Sequence, residues 1–195
     1  MSSEKHIEPV PSVVEADKSK PIFPLFTENA NDGFSRRGED EEASATCLCG
    51  KVQISVPTKG PGFKGTFVCH CTDCRKISSS MFATNFTVAL SHLKYVRGKD
   101  GVKSYGQSET IGSPRNGHTM TEYWCDHCGR LMYRVSSGMP DVAFVRVGAI
   151  DDFSLHESVL KPDIELFTKD RVGWLPPLEG VKQHATTWLG RRSSL

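Results

Sequence analysis

Three cysteines lie within six residues in the segment FVCHCTDCRK, at positions Cys69, Cys71 and Cys74. A disulfide uses two cysteines and a closed zinc site uses four ligands, so a group of three leaves one coordination position of an ion open. Catalytic zinc sites bind water or a substrate at such a position. The spacing therefore predicts a metal site that can carry out chemistry.

The other four cysteines form two chelating pairs, CLC (Cys47 and Cys49) and CDHCG (Cys125 and Cys128). Side chains at positions i and i+2 of an extended segment point the same way, so both sulfurs of CLC can reach one ion. A C-x-x-C turn curls around an ion, and Gly129 after it permits a backbone conformation that a Cβ would hinder. The two pairs together predict a closed, structural zinc site with four thiolates, separate from the three-cysteine site.

Spacing alone leaves two other arrangements open. CLC could share an ion with Cys71 and Cys74, which would leave single cysteines without partners. A histidine could instead close the three-cysteine site and make it structural, although His70 points away from the ion if its segment is extended, and His127 lies inside the CDHC turn. The remaining candidates have no motif around them: His92, His118, His156 and His184.

The overall composition is that of an ordinary globular protein. Of the 195 residues, 37% are hydrophobic and 24% are charged, and the formal net charge of +1 argues against a nucleic-acid partner. No apolar run approaches the roughly 20 residues that cross a bilayer, and the N-terminus has no hydrophobic region of a signal peptide. We expect no membrane partner and a reducing, cytoplasmic location, which the odd count of seven cysteines also favours.

The chain divides into three parts by composition. Residues 1–43 are rich in Glu, Ser, Pro, Asn and Lys, which predicts a flexible N-terminal arm. Within it, PIFPLF (21–26) is a candidate docking strip. We predict a zinc domain over residues 44–185 and a C-terminal tail over 186–195.

Period-two patterns dominate from Thr46 onward, and they predict a mainly β fold. Val52, Ile54 and Val56 alternate with polar residues, and a short helix is expected to begin at Thr72 or Asp73, either of which could cap it. The other predicted strands cover residues 82–90, 93–96, 119–124, 131–135 and 142–147.

Four motifs occur in a fixed order: C-x-C-G-x-V (47–52), C-H-C-x-x-C-R-K (69–76), C-x-x-C-G-x-x-x-Y (125–133) and VRVGAIDD (145–152). In this combination the chain resembles the glutathione-dependent formaldehyde-activating enzyme family, also called the CENP-V/GFA domain family. The segment ELFTKDRVGWLPPLEGVKQ (165–183) is similar to the end of fungal-type members.

The resemblance implies an Mss4-like fold, a β-sandwich or β-tent with two zinc sites. It implies that Cys47, Cys49, Cys125 and Cys128 form the structural site and that the three-cysteine group forms the catalytic one with an open position. It also implies a carbon–sulfur lyase activity on a small-molecule thiol such as glutathione or its adduct. Cations at Arg75, Lys76 or Arg130 are candidates to hold the carboxylates of such a substrate, whereas no general acid or base is assigned.

The chain departs from the family pattern after the three-cysteine group. Many members carry a glycine in this small-residue run, whereas this chain reads RKISSSMF with Ser79 and Ser80.

The competing functional hypothesis is a non-catalytic, zinc-stabilised binding module with two structural ions. A methionine sulfoxide reductase on the same fold would need a redox cysteine outside the metal motifs, and all seven cysteines lie within them.

Overall fold

The structure is a computed structural model that describes residues 17–20, 35–36, 41–110 and 117–187. Most of the predicted arm, including the candidate strip at 21–26, lies outside these residues. The predicted mainly β class is confirmed, because the described residues form two sheets and a single α-helix. The domain boundary at residue 44 stays a prediction, although the strand nearest to it begins at Glu42.

Twelve strands in the described ranges make up the two sheets. Sheet 1 has the order β1-β2-β3-β6 and sheet 2 has the order β12-β11-β4-β5-β10-β9-β8-β7. Neighbouring strands are antiparallel, except that β11 pairs in parallel with both β4 and β12. The strand bounds are β1 Ser35–Arg36, β2 Glu42–Thr46, β3 Gln53–Pro57, β4 Phe63–Cys69, β5 Ala83–Ala89, β6 Lys94–Arg97, β7 Val102–Gln107, β8 Met120–Cys125, β9 Leu131–Ser136, β10 Met139–Arg146, β11 Ile164–Leu166 and β12 Lys182–His184.

Short helices connect these strands. The α-helix α1 covers Thr72–Ser78. No helix in the described part of the chain has the length and apolar character needed to cross a membrane. The 3-10 turns cover Leu90–His92, Lys99–Gly101, Val147–Ala149, Phe153–Glu157 and Thr168–Asp170.

The main core is apolar and includes residues from both sheets, among them Ile54 and Val56 of β3 and Phe86 of β5. The alternation in β3 correctly predicted a strand, but its polar positions are buried as well. Gln53 donates from Nε2 to Thr46 Oγ1 at 2.9 Å, which satisfies one buried amide group.

Two polar contacts also connect distant parts of the chain. The buried carboxylate of Asp151 accepts hydrogen bonds from the hydroxyls of Ser44 and Thr46 in β2, each at 2.6 Å. The hydroxyls of Tyr95 in sheet 1 and Tyr133 in sheet 2 lie 2.8 Å apart. The VRVGAIDD motif therefore has a structural role at its first aspartate, because that side chain anchors the first long strand of sheet 1.

Helix α1 begins where the sequence predicted, but its cap is different. The N-cap is Cys71, whose sulfur accepts a hydrogen bond from the backbone N–H of Cys74 at 3.4 Å, so the predicted caps Thr72 and Asp73 are wrong. The helix ends at Ser79, which has a φ of +52°. The start of the helix thus belongs to the cysteine group itself.

Candidate metal centres

Four cysteines meet where a hairpin of sheet 1 approaches a hairpin of sheet 2. Cys47 and Cys49 lie in the connection from β2 to β3, whereas Cys125 ends β8 and Cys128 lies in the turn to β9. Their four sulfurs lie within 4.8 Å of one another. We call these residues the four-cysteine group, and it joins the two sheets.

The geometry of this group fits a tetrahedral zinc ion. Zinc–sulfur bonds of about 2.3 Å place neighbouring sulfurs about 3.8 Å apart in a tetrahedron. The sulfur of Cys49 lies 3.5 Å from that of Cys47 and 3.7 Å from that of Cys125. Gly129 has a φ of +69°, the left-handed conformation for which the sequence motif predicted a glycine.

Backbone N–H groups point at the sulfurs of the four-cysteine group. The N–H of Val52 donates to Cys47 Sγ at 3.2 Å, while burial raises the pKa of Cys47 to about 12. At Cys128 burial opposes ionisation, yet hydrogen bonds from the backbone N–H groups of Arg130 and Cys49 bring its pKa to about 7. Such donors stabilise thiolates, which are the form that binds zinc.

The other three cysteines meet at the end of β4. Cys69 is the last residue of that strand, Cys71 caps α1 and Cys74 lies in the first turn of the helix. Their sulfurs also lie within 4.8 Å of one another, and no histidine or carboxylate of the described ranges joins them. We call these residues the three-cysteine group, and its donor set fits an ion with one position left for another ligand.

The electrostatic environment favours a thiolate at Cys74. Hydrogen bonds from the thiols of Cys69 and Cys71, followed by the positive charges of Arg146 and Arg134, hold the pKa of Cys74 well below its ordinary value. Arg134 Nη1 lies 4.0 Å from Cys74 Sγ. The positive charges beside Cys74 therefore favour a thiolate at this one position of the three-cysteine group.

Sequence reasoning missed both of these arginines. They project from the central strands β9 and β10 and are buried, with Arg134 Nη2 3.3 Å from Glu122 Oε1 and Arg146 Nη1 2.5 Å from Asn85 Oδ1. The available signal was a cation inside an otherwise apolar strand, as in LMYRV and VAFVRV. A buried charge of this kind needs partners and indicates a functional or structural network.

Arg75 and Lys76 follow Cys74 in the sequence, but their side chains contact other parts of the protein. Arg75 Nη1 donates to the backbone oxygen of Asp170 at 3.3 Å, which ties α1 to the C-terminal segment. Lys76 lines a separate groove between α1 and β7, together with Tyr105 and Glu122. The lining of the cleft that contains Arg146 includes neither of these two cations.

His70 lies between two of the cysteines but faces away from their sulfurs. Its side chain is 0% exposed, and its Nε2 lies 2.5 Å from Glu165 Oε1. Glu165 is itself 1% exposed and accepts hydrogen bonds from Gln183 Nε2 and from the N–H of Leu178, while Arg171 Nη1 lies 3.1 Å away. This network attaches the C-terminal strands to the loop that carries the cysteines.

The histidine alternatives receive no support from the geometry. Within the described ranges, no histidine contributes an atom to either cysteine group. This holds for the four histidines outside any motif as well. The mixed arrangement of CLC with Cys71 and Cys74 does not occur either, since Cys47 and Cys49 lie beside Cys125 and Cys128. The two groups are those that the spacing favoured.

A cleft lies between α1 and the turn that follows Cys128. Its volume is about 360 Å³, and its polar lining includes Arg130, Arg146 and Ser78. Ser78 stands one helical turn after Cys74, so the cleft opens beside the three-cysteine group. We call it the arginine cleft.

Comparisons with known proteins identify a matching family and a similar crystal structure. The model of a family described as "Glutathione-dependent formaldehyde-activating enzyme" matches residues 42–170, a range that contains all seven cysteines. A crystal structure of a Rhodobacter sphaeroides protein is 25% identical, with a TM-score of 0.42, over 54% of this chain and 85% of that one. A search of curated proteins gave no significant match. The family match ends inside the segment 165–183, so its fungal-type character stays a prediction.

Proposed function

We propose that this chain, which belongs to the glutathione-dependent formaldehyde-activating enzyme family, is a zinc-dependent carbon–sulfur lyase. Its substrate would be glutathione or a glutathione-type thiol adduct. The observation that carries this proposal is the separation of seven cysteines into a group of four and a group of three. Four thiolates saturate zinc, whereas three leave a position for a substrate sulfur.

The proposed reaction joins a thiol to a small aldehyde or separates them again. A zinc ion in the three-cysteine group would lower the pKa of a substrate thiol from its ordinary value of about 8.5, so that more of it is ionised at neutral pH. The sulfur lone pair forms the bond to the carbonyl carbon, the carbonyl π electrons move to oxygen, and that oxygen takes a proton from solvent. In reverse, the carbon–sulfur bond breaks and its electron pair returns to sulfur.

The protein's own residues contribute charge and position to this reaction. Arg134 and Arg146 place two positive charges near Cys74, where negative charge concentrates as sulfurs ionise. His70 and Glu165 fix the backbone between Cys69 and Cys71 from the buried side. These contacts support a site whose sulfurs hold one geometry while a further ligand exchanges.

The seven cysteines are all free thiols in the structure. Free thiols support action in a reducing compartment, and we include the cytoplasm in the proposal on that ground. Glutathione-type thiols are also kept reduced there.

The test combines zinc content with turnover. We expect two zinc ions per chain and glutathione-dependent formation of the formaldehyde adduct. Cys71→Ser is expected to lose one zinc and at least about a hundredfold in turnover, because a two-sulfur remnant holds the ion weakly. Ser91→Ala, which changes an exposed hydroxyl in a 3-10 turn, is the control and should keep both.

The same measurements separate the lyase from a non-catalytic zinc module. Two ions that resist exchange and a protein without thiol-dependent turnover would favour the module. Full turnover in a Cys71→Ser protein that lacks its second zinc would rule out the proposed mechanism.

A further inference from the structure

The arginine cleft contains a buried positive charge whose hydrogen bonds are incomplete. Arg146 is 6% exposed and lines the cleft. Its Nη1 donates to Asn85, but its Nη2 is buried and has no hydrogen-bond partner among the described residues. A buried guanidinium donor without an acceptor is unfavourable, and it points to a ligand that supplies one.

A second guanidinium lines the same cleft. Arg130, in the turn that follows Cys128, lines the cleft together with Arg146. In the described part of the chain, neither side chain forms an ion pair with a carboxylate. Two guanidinium groups that line one cleft and have no carboxylate partner among the described residues form a site for an anion.

The cleft is placed so that one molecule can reach both it and the three-cysteine group. Ile77 and Ser78 line the cleft and stand three and four residues after Cys74, so they lie on the same face of α1. Its volume of about 360 Å³ is in the range of small-molecule sites, which begin near 300 Å³. Ile77 and Leu131 add an apolar wall that a methylene chain can contact.

We propose that the arginine cleft binds a carboxylate of the substrate, so that the protein selects thiols that carry a carboxylate near their sulfur. Arg146 Nη2 and the Arg130 guanidinium supply the donors, since a planar guanidinium matches the two oxygens of a carboxylate. This inference rests on the proposed function for the thiol itself. It assigns substrate binding to Arg146 at the end of β10 and to Arg130 in the turn before β9, and not to Arg75 or Lys76.

A ligand with a blocked sulfur tests the cleft separately from the metal. S-methylglutathione keeps both carboxylates but cannot ionise at sulfur, and its diester lacks the carboxylates. Calorimetric titration of the zinc-loaded protein is expected to show binding of the acid and at least tenfold weaker binding of the diester, in line with hydrogen bonds between charged groups.

Variants then locate the binding site. Arg130→Gln removes a half-buried charge and is expected to weaken binding of the acid about tenfold without changing the affinity for the diester. Arg146→Lys keeps a buried charge but loses the planar fork, and a similar weakening is expected. Lys64→Gln, an exposed cation on β4 that donates to the Pro61 carbonyl, is the charge-matched control and should bind like the wild type.

Several results would overturn the inference. These are equal affinity for acid and diester, no binding of S-methylglutathione at millimolar concentration, unchanged binding in Arg130→Gln, or equal weakening in Lys64→Gln. Arginine-dependent binding without any lyase turnover would leave the cleft in place and refute the proposed function. Equal turnover of glutathione and 2-mercaptoethanol, a thiol without a carboxylate, would retain the lyase and refute the cleft.

Discussion

At the scale of single residues, Glu165 is a buried carboxylate with several hydrogen-bond partners. Its carboxylate is buried and accepts hydrogen bonds from the side chains of His70, Gln183 and Arg171 and from the backbone N–H of Leu178. Each of these donors would lose its acceptor if the carboxylate were removed. The stability of the C-terminal strands should therefore depend on this side chain.

We predict that Glu165→Gln lowers the free energy of unfolding by about 2–3 kcal/mol, because an amide presents an N–H₂ group to donors that need an acceptor. Urea denaturation of the zinc-loaded protein measures this. Glu157→Gln is the control, since Glu157 pairs with Lys18 at the surface and should change the free energy by about 0.5 kcal/mol or less. Equal losses in the two variants would contradict the assigned role of Glu165.

The same carboxylate predicts a pH dependence. Burial raises the pKa of Glu165, but hydrogen bonds from Gln183, His70, Leu178 and Arg171 outweigh it and hold the pKa below the ordinary value of 4.5. A depressed pKa contributes stability above the unfolded-state pKa, and that contribution is lost as the pH falls through the folded-state pKa. The difference in unfolding free energy between wild type and Glu165→Gln should therefore shrink below about pH 4.5. A constant difference down to about pH 3 would refute this assignment.

At the scale of elements, the end of α1 has a left-handed backbone at a residue that is not glycine. Ser79 terminates the helix with a φ of +52°, a left-handed conformation that favours glycine. The serine run in RKISSSMF therefore adopts the backbone that a glycine would adopt, at some energetic cost. The loop beside the three-cysteine group keeps the turn without the residue that usually permits it.

We predict that Ser79→Gly raises the free energy of unfolding by about 0.5–1 kcal/mol, because relief of the left-handed conformation exceeds the added backbone entropy. Ser79→Val should lower it by about 1–2 kcal/mol. Ser80→Gly is the control: Ser80 has no positive φ, so glycine brings only its entropy and should destabilise by about 0.5–1 kcal/mol. Thermal and urea unfolding measure all three, and a stabilising effect at both positions would contradict this explanation.

The elements also show what the sequence can predict. Alternation of apolar and polar residues identified β3 and β5, and shorter β-like runs identified β6, β8, β9 and β10. The strands β11 and β12 are only three residues long, and they form through parallel pairing, β11 with β4 and β12 with β11. Local pattern does not encode such pairing, since it depends on contacts far apart in the sequence.

The candidate site, like the fold, was only partly predictable from the sequence. The cysteine groups were predictable because chelating spacings are local and chemically specific. His70 with Glu165 and Cys74 with Arg134 and Arg146 were not, because these partners come together only when β4, α1, β9 and β10 are assembled. The sequence therefore predicts which cysteines come together better than it predicts the buried side chains around them.

At the scale of the whole molecule, the four-cysteine group connects the two sheets. Cys47 and Cys49 belong to the β2–β3 connection of sheet 1, and Cys125 and Cys128 belong to the β8–β9 turn of sheet 2. The three-cysteine group lies within sheet 2 and the helix that follows β4. Loss of the ion that each group is proposed to hold should therefore have different consequences for the fold.

We predict that Cys125→Ser lowers the free energy of unfolding by at least about 4 kcal/mol, or roughly 10 °C in Tm, because metal binding by this group is coupled to folding. Cys71→Ser should lose one zinc but shift Tm by less than about half as much. Differential scanning calorimetry with zinc analysis measures both. A larger loss in Cys71→Ser than in Cys125→Ser would contradict the assignment of the structural role.

The central claim is that an ion in the three-cysteine group has a position that the sulfur of a substrate can occupy. X-ray absorption at the selenium edge, with reduced selenoglutathione added to the zinc-loaded protein, observes that contact directly. We predict a zinc neighbour of selenium in the wild type and none in Cys71→Ser. Selenium without a zinc neighbour in a wild-type protein that holds both ions would contradict the account.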